Sequence, residues 1–210
     1  MATAMIWGAG GGIGRALTEA LAAAGWDVIA LSRHVNGLDS VAPHVIQADP
    51  VNEFEVQHAI LASAQLTAEI DLWVYAAGDI HHAKLADQAA GDFAQTVDAN
   101  LTGAFLTVRH SLPLLADDAH MIFIGARHER LHLPGFGAYA AAKAGLDAMA
   151  AVLAKEERRK RITVVRPAAV DTPFWEKVPL RLPKGASSAA ETAAAILKLH
   201  ASDTSGVVDL

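Results

Sequence analysis

Short apolar runs alternate with longer stretches of helical period along the whole chain, and this alternation limits the fold more than any single motif. The runs lie at 4–7, 28–31, 45–47, 72–76, 121–124, 162–165 and 207–209; the helical stretches lie at 12–24, 52–66, 92–116, 137–157 and 188–200. Strands this short and this continuously apolar have to be covered on both faces, and the intervening helices supply the crossovers between parallel neighbours. The pattern predicts an α/β class: one doubly wound domain over 1–210, with a seven-stranded, mostly parallel sheet and helices on both faces.

Composition narrows the function classes. With 52% hydrophobic against 19% charged residues in 210, a substantial core is available and disorder is excluded. Seventeen Lys and Arg against 23 Asp and Glu give a net charge of −6, so no positive surplus exists for nucleic-acid phosphates or anionic lipid, and neither a nucleic-acid nor a membrane partner is expected. The absence of cysteine removes thiol chemistry, disulfides and Cys-ligated metals. The opening MATAMIWGAG has no basic start, and no apolar run nears the eighteen or so residues of a membrane span, so a soluble, cytoplasmic protein is expected. The stretch 172–187, with Pro173, Pro179, Pro183 and Gly185, lacks periodicity and reads as a loop on the substrate side.

The first apolar run leads into Gly8-Ala9-Gly10-Gly11-Gly12-Ile13-Gly14 and then a helix. Glycines suit a tight strand-to-helix turn and let a pyrophosphate approach the helix N-terminus, so Gly8, Gly10, Gly12, Ile13 and Gly14 are expected to bind the phosphates of a dinucleotide in a Rossmann-type fold. The second run ends Leu31-Ser32-Arg33-His34 with no acid for an adenosine ribose. A hydroxyl and a guanidinium suit a 2′-phosphate, which favours NADP(H) over NAD(H) as cofactor, the latter remaining an alternative. Asp49 is placed either to meet the adenine edge or simply to start the loop before Pro50.

Tyr139 and Lys143 stand four apart on a helical stretch, which puts them on one face. An ammonium beside a phenol favours phenolate and so brings its proton within reach of exchange near neutrality. Together with the glycine turn, Asp49, Ala77-Gly78, Asn100 in Asp98-Ala99-Asn100-Leu101-Thr102-Gly103, and Arg166-Pro167-Ala168-Ala169-Val170-Asp171-Thr172-Pro173, the pair resembles the short-chain dehydrogenase/reductase family, in register over nearly the whole chain. The stretch 139–145 is similar to that of bacterial 3-oxoacyl-carrier-protein reductases. The resemblance implies an oxidoreductase that interconverts a carbonyl and an alcohol on a small molecule. It makes Tyr139 the general acid, Lys143 the group that binds the nicotinamide ribose and lowers the tyrosine pKa, and Asn100 the holder of a relay water. It places Ala77, Gly78, Pro167, Val170 and Thr172 on the cofactor, with Val170 and Thr172 at the carboxamide. It also implies a homodimer or homotetramer paired through the helices near 92–116 and 137–157.

The pattern breaks where the family has a serine thirteen residues before the tyrosine. Here that position is Ala126, and no Ser or Thr occurs between Ser111 and Thr163 to replace it. Trp7, Tyr75-Ala76 and Ala168 are milder departures from the family's Thr, Asn pair and Gly. Arg127, His128, Arg130 and His132 follow Ala126 and read as a solvated basic lip, with a substitute donor from Arg127 or His128 as the functional alternative. His128 and His132 have a metal-like spacing, but the segment meets Pro134-Gly135 and offers no third ligand, so no metal site is expected. His81-His82 are expected to be exposed in a loop. Ala126 keeps a second function class open: a catalytically weak or inactive NADP(H)-binding sensor or scaffold.

Overall fold

The computed structural model describes residues 1–210. Seven parallel strands form one sheet: β1 (Thr3–Trp7), β2 (Asp27–Ser32), β3 (His44–Gln47), β4 (Ile70–Tyr75), β5 (Leu115–Ile124), β6 (Arg161–Arg166) and, last in the chain, β9 (Gly206–Asp209). Their order is β3-β2-β1-β4-β5-β6-β9, so the winding reverses between β1 and β4. A second, two-stranded pairing joins β7 (Val170–Asp171) to β8 (Ser187–Ser188) and so closes the base of the 172–187 loop.

Alternate residues of each strand supply two separate cores. On one face Met5, Trp7, Trp73, Tyr75 and Phe123 meet Val56 and Ala59 of α2 (Glu53–Ser63), Ala104 and Val108 of α4 (Gly103–Ser111), and Leu146 and Ala150 of α5 (Gly137–Glu156). On the other, Ala4, Ile6, Ala30 and Val74 meet Leu17 and Leu21 of α1 (Gly12–Ala23) and Ala193 and Ile196 of α6 (Ala189–His200). Complete burial of a side chain such as Leu17 is worth about 1.5–3 kcal/mol, and it holds each helix flat on the sheet. No helix is long and apolar enough to cross a membrane.

The single helix expected over 92–116 is divided. It consists of α3 (Ala90–Val97), a π-helical turn at Asp98–Thr102, α4, and a 3-10 turn at Leu112–Leu114, and β5 already starts at Leu115 rather than 121. The early start was hidden by Asp117 and Asp118, which lie where the register with β4 shifts between the Ile70–Leu115 and Leu72–His120 pairs. The extra residue in a π-turn re-aims side chains, and this one carries Asn100.

At the opposite end of the sheet a buried polar knot fixes β5 to β6 and α6. His120 Nε2 lies 2.9 Å from Thr163 Oγ1, and His120 Nδ1 lies 2.9 Å from His200 Nδ1. The Thr163 hydroxyl also lies 3.4 Å from the Thr204 carbonyl, and Arg161 Nη2 lies 3.4 Å from His200 Nδ1. Burial, with Arg161 close by, pushes the His120 pKa down to about 3. Because the unfolded histidine titrates near 6.5, its contribution is complete above that pH and is lost as pH falls from 6.5 towards 3. We expect urea denaturation to show stability falling over that window, and His120→Gln to be less stable at pH 7 but flatter by up to about 1.4 kcal/mol per pH unit. Equal slopes in the two proteins would clear His120 of this role.

Candidate active site

The reversal between β1 and β4 opens a crevice at the C-terminal ends of the strands, which is where open α/β sheets bind ligands. The glycine turn crosses it. Gly8 has φ +85°, and a methyl there would collide with the backbone of Ala77; one at Gly14 would collide with the Gly8 carbonyl. The result is a turn so tight that α1 begins against the strand end. Its N-cap, Gly11, contributes no side chain, and no acidic residue lies in its first turn, so the amides and the positive dipole end stay available to an anion. Thr172 closes over the turn, its Cγ2 lying 2.5 Å from where a Gly12 methyl would stand.

The side of the crevice towards β2 is more open. Ser32 ends β2 beside Gly10, and Arg33 is exposed, with its nearest carboxylate, Asp79 Oδ2, at 3.9 Å. Asp49 Oδ1 accepts from the Val51 amide at 3.1 Å, the loop-starting role foreseen for it, while the residue remains at the strand ends.

Tyr139, Lys143 and Asn100 are brought together. Lys143 is 3% exposed, and its Nζ donates to the Ile124 carbonyl at the end of β5 (2.8 Å) and sits 5.6 Å from the Tyr139 ring centroid. Asn100 Nδ2 donates to the carbonyls of Thr96 (2.8 Å) and Asp79 (2.6 Å), which turns Oδ1 inward, buried and without a partner. A methyl on Gly78 would stand 2.7 Å from that Oδ1 and 3.8 Å from Lys143 Nζ, so both polar atoms line the small space that glycine leaves. Desolvation pulls the Lys143 pKa down to about 8, with Asp147 acting in the opposite sense, and burial raises the Tyr139 phenol well above its ordinary value. At neutral pH the pair is therefore ammonium and phenol.

The 172–187 loop lies over this centre. Phe174 packs on Tyr139 with ring centroids 5.4 Å apart, Trp175 Nε1 donates to the Val170 carbonyl at 2.8 Å, and Lys177 Nζ reaches Asp79 Oδ1 at 2.6 Å. Ile80, Phe136 and Val178 complete an apolar patch with Leu131. Pro167 opens the turn after β6 and is half-buried.

Three expectations need correction. Lys143 does not lower the Tyr139 pKa as expected, because burial alone acts on the phenol and raises it. Arg127 and His128 are not a solvated lip: Arg127 Nη2 donates to the Leu210 carbonyl at 2.5 Å and its Nε lies 3.6 Å from Asp209, while His128 Nε2 lies 3.3 Å from Asp147. Both are engaged away from solvent, although Arg127 Nε itself makes no hydrogen bond. His81 and His82 are half-buried, because the loop after β4 is knitted to its neighbours: His81 binds Thr96 Oγ1, and His82 approaches the Pro134 carbonyl at 3.2 Å and stands edge-on to Phe136. Sequence reasoning also passed over Tyr75, whose hydroxyl donates to the Ala99 carbonyl in the π-turn at 2.8 Å, and Asp79, which holds Asn100 through its carbonyl and Lys177 through its carboxylate.

Comparison with known proteins identifies the family of the chain. The family profile described as short chain dehydrogenase matches residues 2–182, and the chain belongs to that family of oxidoreductases. It is 27% identical over 180 residues to an uncharacterised oxidoreductase of Staphylococcus aureus strain MW2, covering 80% of this chain and 78% of the relative. It is 29% identical over 189 residues to 3beta-hydroxysteroid dehydrogenase 1 of Eggerthella lenta, covering 82% and 72%. Among solved structures, an alcohol dehydrogenase of the archaeon Thermococcus sibiricus, complexed with 5-hydroxy-NADP, superposes with TM-score 0.90 at 25% identity over all of this chain and 95% of that one.

If Tyr75 braces the π-turn, Tyr75→Phe removes the only side-chain donor seen on the Ala99 carbonyl, and chemical denaturation is expected to show a loss of about 1 kcal/mol or somewhat more. An unchanged midpoint would mean that the turn holds itself.

Proposed function

We propose that this chain is one NADP(H)-binding unit over 1–210 that interconverts a carbonyl and an alcohol on a small molecule, with Tyr139 as proton donor and acceptor. The observation that carries the reading is the convergence of the unpartnered Asn100 Oδ1 and the Lys143 ammonium on the space beside Gly78, with Tyr139 one helical turn away. The residues fit a dinucleotide: uncapped α1 amides for the pyrophosphate at Gly8 to Gly14, Ser32 and Arg33 for a 2′-phosphate, and the Ala77-Gly78 edge with Pro167, Val170 and Thr172 for the nicotinamide half. When bound, a reduced nicotinamide supplies hydride to the carbonyl carbon. Tyr139, kept as phenol by burial, gives its proton to the oxygen, and in the reverse direction it takes the proton back. Lys143 holds positive charge beside the resulting phenolate, and Asn100 offers Oδ1 to a water that can refill the proton. The 172–187 loop supplies the substrate wall, and Trp175 must release the Val170 carbonyl if that group is to meet the carboxamide.

Ala126 leaves Tyr139 as the one side-chain donor placed for the substrate oxygen. Loss of a second donor costs about 10²–10³ in rate. Optical assay of NADPH oxidation over aldehydes, ketones and quinones is expected to show slow turnover, abolished by Tyr139→Phe and raised by Ala126→Ser. NADPH binding with no turnover by any of these proteins, Ala126→Ser included, favours the sensor or scaffold instead.

Arg33→Ala is expected to weaken NADPH binding by about tenfold or more while leaving NADH nearly unchanged, since only NADPH carries a 2′-phosphate for a charge-assisted bond. Equal losses for both nucleotides would remove the preference for NADP(H).

We also propose a homodimer or homotetramer paired through α4 and α5, supported by the exposure of Phe105 (47%) and Val152 (57%) on those helices. Sedimentation at micromolar concentration should give a multiple of 22.0 kDa, and Val152→Asp should lower it. A monomeric wild type would refute the pairing.

A further inference from the structure

We propose that Asp147 is a positioning residue for the reaction, the buried counter-charge that keeps the Lys143 ammonium charged and in place. This rests on the reading of Tyr139 and Lys143 given above. Tyr139, Lys143 and Asp147 follow one another at intervals of four on α5 and so lie in one row on its face. Lys143 Nζ is bonded to the carbonyl of Ile124, and the next residue, Gly125, faces Asp147: a methyl there would stand 3.4 Å from Asp147 Oδ1. Carboxylate and ammonium thus meet the same strand end at consecutive residues. Asp147 Oδ1 is buried and has no hydrogen-bond partner, an arrangement that a carboxylate tolerates only near positive charge.

Its other partners do not satisfy it. Oδ2 lies 3.3 Å from His128 Nε2, of the loop after β5, and 3.3 Å from Arg166 Nη1, of β6. Arg166 is shared more closely with Glu129 (2.8 Å) and with Asp209 of β9 (2.8 Å), while Arg127 is drawn off towards Asp209 and the Leu210 carbonyl. Three carboxylates against two guanidiniums leave one negative charge in the cluster, apart from any on His128. Lys143 is the neighbouring cation from the same helix. Desolvation pulls the Lys143 pKa down to about 8 and Asp147 opposes that fall, while burial raises the Asp147 carboxyl and Arg166 and His128 act to keep it ionised.

The test reads the amine directly in the cofactor-free protein. With lysine labelled by ¹³C at Cε, NMR titration should resolve Lys143, assigned by its loss in Lys143→Met. Asp147→Asn is expected to lower its proton affinity by about tenfold, a shift of about one pH unit. Asp147→Glu, which keeps the charge, should retain the wild-type value, which a mere packing defect would not do. The basic limb of the pH–rate profile for NADPH-dependent carbonyl reduction should move with the amine. If Lys143 titrates alike in wild type and Asp147→Asn, the proposal is overturned. Should Asp147→Asn fail to fold, Asp147→Ser decides in the same way, because an unchanged Lys143 titration there overturns it as well. Amine shifts of the expected sign without turnover by any variant would keep this inference while sinking the reductase reading.

Discussion

A lysine ammonium almost entirely removed from water sits where α5 crosses the end of β5, and the site depends on that burial being tolerated. An isolated buried charge is too costly to keep, so the fold has to bring it an acceptor and an opposing charge. The acceptor is the Ile124 carbonyl, which pins α5 to a central strand. Since Tyr139 lies one turn earlier on the same helix, the bond that stabilises Lys143 also fixes where the phenol can stand. Small residues on α5, such as Ala142 and Ala150, let the helix lie close enough for that contact.

The other half of the site depends on a break in a helix. A regular helix from α3 to α4 would need no extra residue; the π-turn at Asp98–Thr102 provides one, and Asn100 then spends both amide hydrogens on Thr96 and Asp79. Tyr75, at the end of β4, holds the turn from the sheet side through Ala99, and its hydroxyl lies so near Gly103 that a methyl there would be 2.5 Å away. Sheet, turn and amide are therefore coupled by short contacts, and the outcome is an unpartnered Oδ1 facing Lys143 across the space that Gly78 leaves.

Strands were legible because parallel strands buried on both faces are written as unbroken apolar runs, as Ile29-Ala30-Leu31 and Met121-Ile122-Phe123 are. The glycine turn and the Tyr139/Lys143 pair were legible because each is local. The π-turn was not: Asp98-Ala99-Asn100-Leu101-Thr102 contains nothing that forbids an ordinary helix, and the Tyr75 hydroxyl that meets it comes from a separate strand. Nor was the ion network, since Arg166, Glu129, Asp147 and Asp209 come from four separate segments whose charges sequence alone cannot pair. Asp147 did have a local signal, being one further step of four beyond Lys143.

That network bears on the missing serine. The loop after β5 does not rely on a hydroxyl at position 126 for its shape: the His128 amide donates to the Ala126 carbonyl at 2.7 Å, Arg127 is fastened to the last two residues of the chain, and His128 reaches down to Asp147. On the proposed reading, a loop held from both sides would keep its backbone where a substrate oxygen meets Tyr139 without a hydroxyl at 126. The effect of alanine is then confined to the charge that develops on that oxygen, and an interaction made mainly in the transition state is felt in kcat far more than in substrate binding. On that reading, the substitution would slow the chemistry and leave the assembly of the site alone.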